Sequence, residues 1–127
     1  MIARFATLIG ALLVSGALSA QEISREELRR VPVPGSDTME VVVMRLTVPP
    51  GSTIPLHTHP GDEHGVVVTP AKAQTPNGKI IEFPVGATLY FPEGQVHGGL
   101  TNVGETDMVA ITTFVVRVGE PLQTLAE

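Results

Sequence analysis

Glycine and proline residues divide this chain into short segments, and this feature constrains its fold more than any other. The 127 residues include 13 glycines and 11 prolines, and no stretch carries a helical pattern longer than two turns. Between the turn residues lie short runs rich in β-branched side chains, which favour strands. Strands are predicted at Met39–Val48, Thr53–His59, Val66–Thr69, Lys79–Phe83, Thr88–Phe91 and Met108–Val118. Asn77-Gly78 predicts a hairpin, because both residues tolerate positive φ. Short strands at regular spacing predict one all-β domain, a closed barrel or sandwich.

Residues 1–20 have the composition of a secretory signal peptide. Arg4 supplies an early positive charge, residues 5–18 are uncharged and mostly apolar, and small residues precede polar Gln21. The uncharged stretch is short for a membrane span, which needs about 20 apolar residues. We therefore expect export to the periplasm or beyond the cell, with cleavage after Ala20. No membrane association of the mature chain is expected.

The residues that follow are predicted to form an N-terminal extension before the barrel. Ser24-Arg-Glu-Glu27 fits a capping box, which predicts a short helix over about Arg25–Arg30. Val31-Pro-Val-Pro-Gly35 is incompatible with a helix and predicts an extended link. The sequence therefore divides into a signal peptide at 1–20, an extension at 21–34 and a β-barrel domain at 35–127.

Charge and cysteine content exclude several functional classes. The formal net charge of −5 would become −6 on removal of Arg4, and the chain has no basic cluster. This argues against partners such as nucleic acid or an anionic membrane surface. The absence of cysteine excludes disulfides, a thiol nucleophile and thiolate metal ligands. The chain also lacks a nucleophile elbow, a phosphate-binding loop and a nucleotide fingerprint.

All four histidines fall in two short segments rich in glycine and proline. His57 and His59 are two residues apart, so in an extended strand their side chains point to the same face. Imidazoles so placed can converge on one ion, and His97 is the distant candidate for a third nitrogen ligand. The sequence therefore predicts a small metal-binding β protein.

The two segments resemble the paired motifs of the cupin superfamily. The first motif, G-x5-H-x-H-x3or4-E-x6-G, is met in spacing by Gly51, His57, His59 and Glu63. The second, G-x5-P-x-G-x2-H-x3-N, is met by Gly86, Pro92, Gly94 and His97. Two positions depart from the motifs: Pro70 replaces the last glycine of the first, and Asn102 comes one residue late in the second.

This resemblance implies a single-domain jelly-roll β-barrel of six to eight strands that holds a metal inside its mouth. The family ligands carried onto this chain are His57, His59, Glu63 and His97. Such a set implies one divalent transition-metal ion (iron, manganese, nickel, copper or zinc) with open positions for a small ligand. Barrels of this family commonly dimerise through edge strands, so the resemblance also allows a homodimer, with Met39–Val48 as the candidate edge.

The fourth ligand is left open by the residues themselves. Glu63 shares strand parity with the first two histidines, but Pro60-Gly61 interrupts the predicted strand, so parity cannot be carried across. His64 is the alternative if the pairing slips by one residue. A site of three histidines alone, more typical of zinc, is the third alternative.

Other polar residues near the motifs are candidates for contacts with the ligands or with a substrate. These candidates are His64, Tyr90, Gln95 and Asn102. Arg45 would attract a carboxylate if it faced the barrel interior, but it shares parity with Val43 and Thr47 and is expected on the solvent face.

Three functional hypotheses follow. The first is an exported metal-dependent cupin acting on a small organic molecule, as an oxygenase, isomerase or decarboxylase. The second is a non-catalytic module that binds a small ligand or metal in the cell envelope. The third is an assembly subunit with a degenerate site. A proton donor or acceptor facing the open metal positions, such as Tyr90, His64 or a Glu63 that does not bind the metal, would favour the enzyme. Purely aliphatic walls would favour binding.

Overall fold

The computed structural model describes residues 21–127, and this part of the chain consists of strands joined by turns and loops. The predicted signal peptide at 1–20 lies outside the described residues. Within residues 21–127, no helix is long and apolar enough to cross a membrane. The ten strands of this part are β1 Ser24–Pro32, β2 Met39–Val48, β3 His57–Thr58, β4 Gly61–Val67, β5 Ala71–Gln74, β6 Ile80–Phe83, β7 Thr88–Phe91, β8 Thr101–Asn102, β9 Met108–Arg117 and β10 Thr124–Leu125.

The strands form one large sheet and two small ones. The large sheet has the order β1-β2-β9-β4-β7, and the small sheets have the orders β6-β5-β8 and β10-β3. Seven strands have four or more residues, within the predicted six to eight, and β3, β8 and β10 have two residues each. All pairings are antiparallel. The prediction of an all-β fold is confirmed.

The core lies between the large sheet and the small sheets. One buried cluster joins Val42 of β2 to Phe114 of β9. A second joins Val48 and Met108 of the large sheet to Ala73 of β5. Side chains from facing sheets thus fill the interior, as a closed or sandwiched β architecture requires.

Several predicted strands have the bounds that the sequence indicated. Met39–Val48 and Thr88–Phe91 agree at both ends, and the last long strand ends one residue early, at Arg117. The hairpin at Asn77-Gly78 joins β5 to β6, with φ of 85° at Gly78. This positive φ is the conformation that glycine adopts without strain.

The predicted helix over Arg25–Arg30 is wrong. These residues belong to β1, which pairs with β2 along its length, with one irregularity between Glu27 and Arg29. Backbone pairing with a long neighbouring strand outweighs a local capping signal, because a short helix has few hydrogen bonds of its own. Since β1 covers β2, Met39–Val48 is not an edge of the sheet either, and that candidate for a dimer edge is also wrong.

Strand β3 ends at Thr58 and β4 begins at Gly61 in a different sheet, so the predicted interruption of the strand at Pro60-Gly61 is confirmed. From Gly61 onward, alternate residues are buried: Gly61, Glu63, Gly65 and Val67. A Cβ at Gly61 would lie 1.9 Å from the carbonyl oxygen of Val115 on β9, so only glycine allows this close pairing. The alternation fixes Glu63 on the inner face of the sheet and His64 on the outer face.

Candidate metal centre

Four side chains converge inside the barrel: His57, His59, Glu63 and His97. Each offers one nitrogen or oxygen atom, and these atoms all lie within 4.8 Å of one another. His57 stands in β3, His59 follows it, and Glu63 stands on β4. His97 is held beside His57 by two backbone hydrogen bonds, of 2.9 and 3.0 Å, that form an isolated bridge. The first three side chains are buried and His97 is half-buried.

Each of the three histidines is oriented by a backbone carbonyl. The Nδ1 of His57 donates to the oxygen of Pro55 at 2.7 Å. In the same way, His59 donates to Leu122 at 2.6 Å, and His97 donates to Gln95 at 2.9 Å. Because a carbonyl only accepts, each Nδ1 carries the proton, and in the neutral ring the Nε2 presents a lone pair.

Glu63 lies between two of these nitrogens. Its Oε2 is 2.9 Å from the Nε2 of His97 and 3.0 Å from the Nε2 of His59. The contact with His97 has the geometry of a hydrogen bond. The contact with His59 is short but poorly directed, and the Nε2 of His59 is a buried polar atom without a hydrogen-bond partner in the described chain.

The electrostatics of the cluster favour an ionised carboxylate. Burial alone would raise the pKa of Glu63, but its contacts with His59 and His97 outweigh burial and lower the pKa to about 2. Burial alone would lower the pKa of His97, yet the hydrogen bonds to Glu63 and to the Gln95 carbonyl raise it. At His57 burial dominates and lowers the pKa, so this ring favours its neutral form.

These residues fit a divalent metal ion. In neutral rings, the Nε2 lone pairs of His59 and His97 would face the charged oxygen of Glu63, which is repulsive unless a proton or a cation lies between them. A proton on His97 resolves one of these contacts and leaves the Nε2 of His59 without a partner. Three imidazole nitrogens and one carboxylate oxygen form a donor set that divalent transition metals accept. Carbonyl-bound Nδ1–H groups are also the usual support of metal-binding histidines.

The cluster forms part of the wall of a cavity of about 270 Å³. The rest of the wall is mainly apolar, made by Leu46, Ile54, Phe83, Leu89, Phe91, Leu100, Ala110 and Phe114. Phe91 stacks on His97, with ring centroids 4.0 Å apart and planes inclined by 7°. Two polar side chains outside the cluster also line the cavity, Arg25 and Thr112.

The remaining predicted site residues lie elsewhere. His64 is exposed on the outer face, where its ring stacks on exposed Tyr90 with centroids 5.0 Å apart. Asn102 is buried, but its amide donates to the oxygens of Val48 and Thr106, so it anchors a loop. These three side chains do not line the cavity. Gln95 contacts the cluster only through its backbone carbonyl.

Two residues that contribute to the site or its support, Arg25 and Leu122, could not be identified from the sequence. Arg25 lies in the segment predicted to be helical, and only the pairing of β1 with β2 brings it to the cavity. Leu122 acts through its backbone oxygen, which every residue possesses, so its identity carried no signal. The stacking of Phe91 on His97 was detectable in principle, because β7 alternates and Phe91 lies six residues before His97 within the second motif.

Comparison with known proteins identifies the family. Residues 44–114, more than half of the chain, match the Cupin_2 family, described as a cupin domain. An auxin-binding protein of Prunus persica, ABP19b, is 30% identical over 89 residues. That alignment covers 64% of this chain and 41% of the relative, so the chain spans about two fifths of the relative's length.

Two solved structures show the same fold. An uncharacterised conserved protein of Klebsiella pneumoniae with a double-stranded β-helix domain is 26% identical, with a TM-score of 0.59, 86% of this chain covered and 88% of the other. The DMSP lyase DddQ of Ruegeria pomeroyi has a TM-score of 0.61 at 17% identity, over 91% of this chain and 59% of the lyase. At that identity the likeness concerns the fold alone. The chain folds as a jelly-roll barrel and belongs to the cupin family.

Proposed function

We propose that this protein is an exported cupin that binds one divalent transition-metal ion through His57, His59, Glu63 and His97. A small organic molecule binds beside the ion in the apolar cavity. Iron, manganese, nickel, copper and zinc are the candidate metals, because mixed imidazole and carboxylate donors suit all of them. The name of the Prunus persica relative, an auxin-binding protein, supports a small-molecule ligand by analogy.

The observation that carries the proposal is the common orientation of the three imidazoles. All three Nδ1 atoms donate to backbone carbonyls, which leaves the three Nε2 atoms free to bind an ion, and those of His59 and His97 lie beside Glu63. A cluster of histidines without a ligand would more commonly turn some of its nitrogens towards solvent or towards hydrogen-bond partners, because an unsatisfied buried nitrogen costs about 1–3 kcal/mol. The unpartnered Nε2 of His59 has such a cost, and a bound cation removes it.

Within the cavity, each group has a separate task. A bound divalent ion would supply Lewis acidity or a redox centre. Glu63 contributes one negative charge to the site and remains ionised at neutral pH. Phe91 holds the ring plane of His97, and the apolar side chains around the cluster exclude water from it.

The cavity favours ligand binding, or chemistry carried by the ion itself, over a reaction that needs a separate proton donor. His64 and Tyr90, the candidate acid–base groups, lie on the outer face of the sheet. The cavity wall offers only Arg25 and Thr112 as polar groups outside the cluster, and neither exchanges protons readily at neutral pH. A non-catalytic binding module is therefore the second candidate function, favoured by the same apolar wall.

Elemental analysis of the purified, untagged protein tests the metal site. We expect about one equivalent of a transition metal in the wild type and none in a His57→Ala/His97→Ala variant. A His64→Ala variant serves as the matched control, because it removes the one histidine outside the cluster, and it should retain the metal. Absence of metal from the wild type, before and after reconstitution, would overturn the proposal.

Two further measurements separate the finer parts of the proposal. Mass spectrometry of the protein from fractionated cells tests export, and we expect a mature chain that starts at Gln21 in the extracytoplasmic fraction. Oxygen consumption by the metal-loaded protein with a panel of small organic acids and phenols tests oxygen chemistry. Ligand binding without turnover would assign the binding module instead.

A further inference from the structure

One arginine of strand β1, Arg25, lines the cavity from its mouth, whereas the next residue along the strand forms an ion pair on the other face of the sheet. Arg25 pairs with Leu46 of β2, and both side chains line the cavity of the metal cluster. The adjacent pair, Glu26 and Arg45, faces the other side of the sheet, with their side chains 51–63% exposed and 3.7 Å apart. Arg45 therefore lies on the solvent face, as the sequence predicted, and Arg25 occupies the position that would attract a carboxylate.

The Arg25 guanidinium has no partner among the residues that the structure describes. Three other arginines form ion pairs there: Arg30, Arg45 and Arg117. No carboxylate oxygen of residues 21–127 lies within 4.0 Å of Arg25. Glu63, whose charge acts on Arg25 across the cavity, is engaged by His59 and His97 instead.

The surroundings of Arg25 explain why a missing partner matters. Arg25 is exposed, as are the other residues of β1, and it also lines the cavity beside apolar wall residues, so it stands where the cavity opens to solvent. Thr112 supplies the other polar group of the wall outside the cluster, and its hydroxyl makes no hydrogen bond with residues 21–127. A cavity with an apolar wall and a few convergent polar groups is the usual form of a small-molecule site.

The net charge around the cavity determines which charge a ligand should carry. A divalent ion and Arg25 together carry three positive charges, and Glu63 compensates only one of them. A cavity with low-dielectric walls and uncompensated positive charge concentrates anions. The planar guanidinium binds a carboxylate through two parallel hydrogen bonds, and the apolar wall accommodates the organic part of such a ligand.

We propose that Arg25 recognises the carboxylate of a small organic acid that binds in the cavity beside the metal centre. This inference rests on the proposed function, because it assigns a chemical class to the ligand of that site. Arg25 thereby distinguishes organic acids from neutral molecules of the same shape. Strand β1, which the sequence placed in an extension outside the barrel, supplies the specificity of the site.

Calorimetric titration of the metal-loaded protein with butyrate and with butyramide tests the inference. The two probes have the same shape and differ in charge. We expect wild type to bind butyrate at least about tenfold more tightly than butyramide, as one charged hydrogen-bonded pair requires. Arg25→Met should remove that preference while metal content stays at the wild-type value.

Matched variants guard against indirect effects. Arg29 lies on the same strand but does not line the cavity, so the Arg29→Met variant should bind butyrate as wild type does. Arg25→Lys keeps the positive charge but cannot donate two parallel hydrogen bonds to a carboxylate, and it should give an intermediate affinity. Thermal unfolding of each variant reports whether β1 remains folded.

The outcomes separate this inference from the proposed function. Undiminished binding of butyrate by Arg25→Met, or equal binding of both probes by wild type, would overturn the role of Arg25 and leave the metal site intact. If wild type holds no metal, the proposed function fails, and the same titrations on the metal-free protein decide the role of Arg25. Binding of butyrate that depends on Arg25 would then still support it, and its absence would overturn it.

Discussion

The two faces of strand β4 differ in function although both carry ionisable side chains. On the inner face, Glu63 is buried and contacts two histidines at 2.9 and 3.0 Å. On the outer face, His64 is exposed and lies against Tyr90, whose hydroxyl donates to Asp62 over 3.5 Å. Each face of the sheet therefore carries both imidazole and carboxylate groups, and Glu63 and His64, on opposite faces, are adjacent in the sequence.

The difference lies in how the imidazoles are held. Every histidine of the inner cluster donates its Nδ1–H to a backbone carbonyl. The ring of His64 makes no hydrogen bond with residues 21–127. A metal site needs several lone pairs aimed at one point, and fixed backbone acceptors provide that aim at no additional entropic cost on binding. The comparison teaches that residue type alone does not make a site, whereas burial and backbone support do.

The largest difference is expected between two single variants, one that removes a histidine of the inner cluster and one that removes the histidine of the outer face. His97→Ala should weaken metal binding by about 100-fold or more, because the binding free energy of about 10–16 kcal/mol for a structural zinc site is shared by four ligands. His64→Ala should leave the affinity unchanged. Competition with a chelating dye measures both affinities, and equal losses in the two variants would refute the distinction between the faces.

A glycine behind the cluster gives the next largest effect. Gly98 has φ of 105°, and a Cβ there would lie 2.3 Å from the Pro55 oxygen and 3.2 Å from Nδ1 of His57. Gly98→Ala should lower the free energy of unfolding by about 2–4 kcal/mol, from backbone strain and steric overlap together.

Gly35→Ala is the control for the strain alone, because Gly35 has φ of 79° and open space around its Cβ position. It should cost about 1–2 kcal/mol. Denaturant unfolding of both variants measures the difference. Equal losses would mean that the backbone around the Pro55–His57 hydrogen bond yields without cost.

The pH dependence of metal binding should follow His97. Its pKa is raised by Glu63, so the metal-free protein holds a proton there that the ion must displace. As the pH falls below this raised pKa, affinity should fall by about tenfold per unit for each proton displaced. Glu63, with a pKa of about 2, contributes no proton in this range. Titrations in buffers of different ionisation enthalpy count the protons released.

The same shift has the opposite sign for stability of the metal-free fold. A raised pKa at His97 stabilises the folded state fully below the unfolded value of 6.5, and this contribution is lost as the pH rises through the folded value. Glu63→Gln removes the carboxylate that raises the pKa of His97, so the pH at which this stabilisation is lost should move to a lower value. An unchanged transition in that variant would show that the pair does not act on His97.

The smallest effect is expected on the outer face. Tyr90→Phe removes a hydroxyl whose one hydrogen bond is 3.5 Å long and exposed. The free energy of unfolding should change by less than about 0.5 kcal/mol. Chemical denaturation measures the change, and a loss above about 1 kcal/mol, the net value of a typical hydrogen bond, would mean that the contact between Tyr90 and Asp62 contributes to stability and would contradict the prediction.

The sequence predicted the parts of this molecule that depend on residue type. The three histidines of the cluster are recognisable from their residue type and spacing, and the match to the family motifs adds Glu63 as the expected fourth member. The bounds of β2 and β7 follow from runs of β-branched and aromatic residues that end at proline or glycine. Both signals lie in residue types and their spacing, so they can be recognised without knowledge of the tertiary contacts.

The parts that were missed depend on contacts between distant segments. The polar composition of β1 gave no strand signal, and only its ladder with β2 makes it a strand. The choice between Glu63 and His64 could not be made from the parity of His57 and His59, because the strand is interrupted before Gly61, and pairing of β4 with β9 decides which residue faces inward. The supports of the three imidazoles are carbonyl oxygens, which no side-chain pattern can reveal.

The hydrogen bond from His59 to Leu122 links residues 63 positions apart in the chain. Bringing such distant segments together costs conformational entropy, so this hydrogen bond exists only when the chain beyond β9 is docked. The imidazole of His59 is therefore held in its binding direction only after the segment beyond β9 has docked. A metal ion bound through this histidine would select the fully folded chain over partly folded forms. Metal binding would then be linked to the docking of the C-terminal segment, and each would stabilise the other.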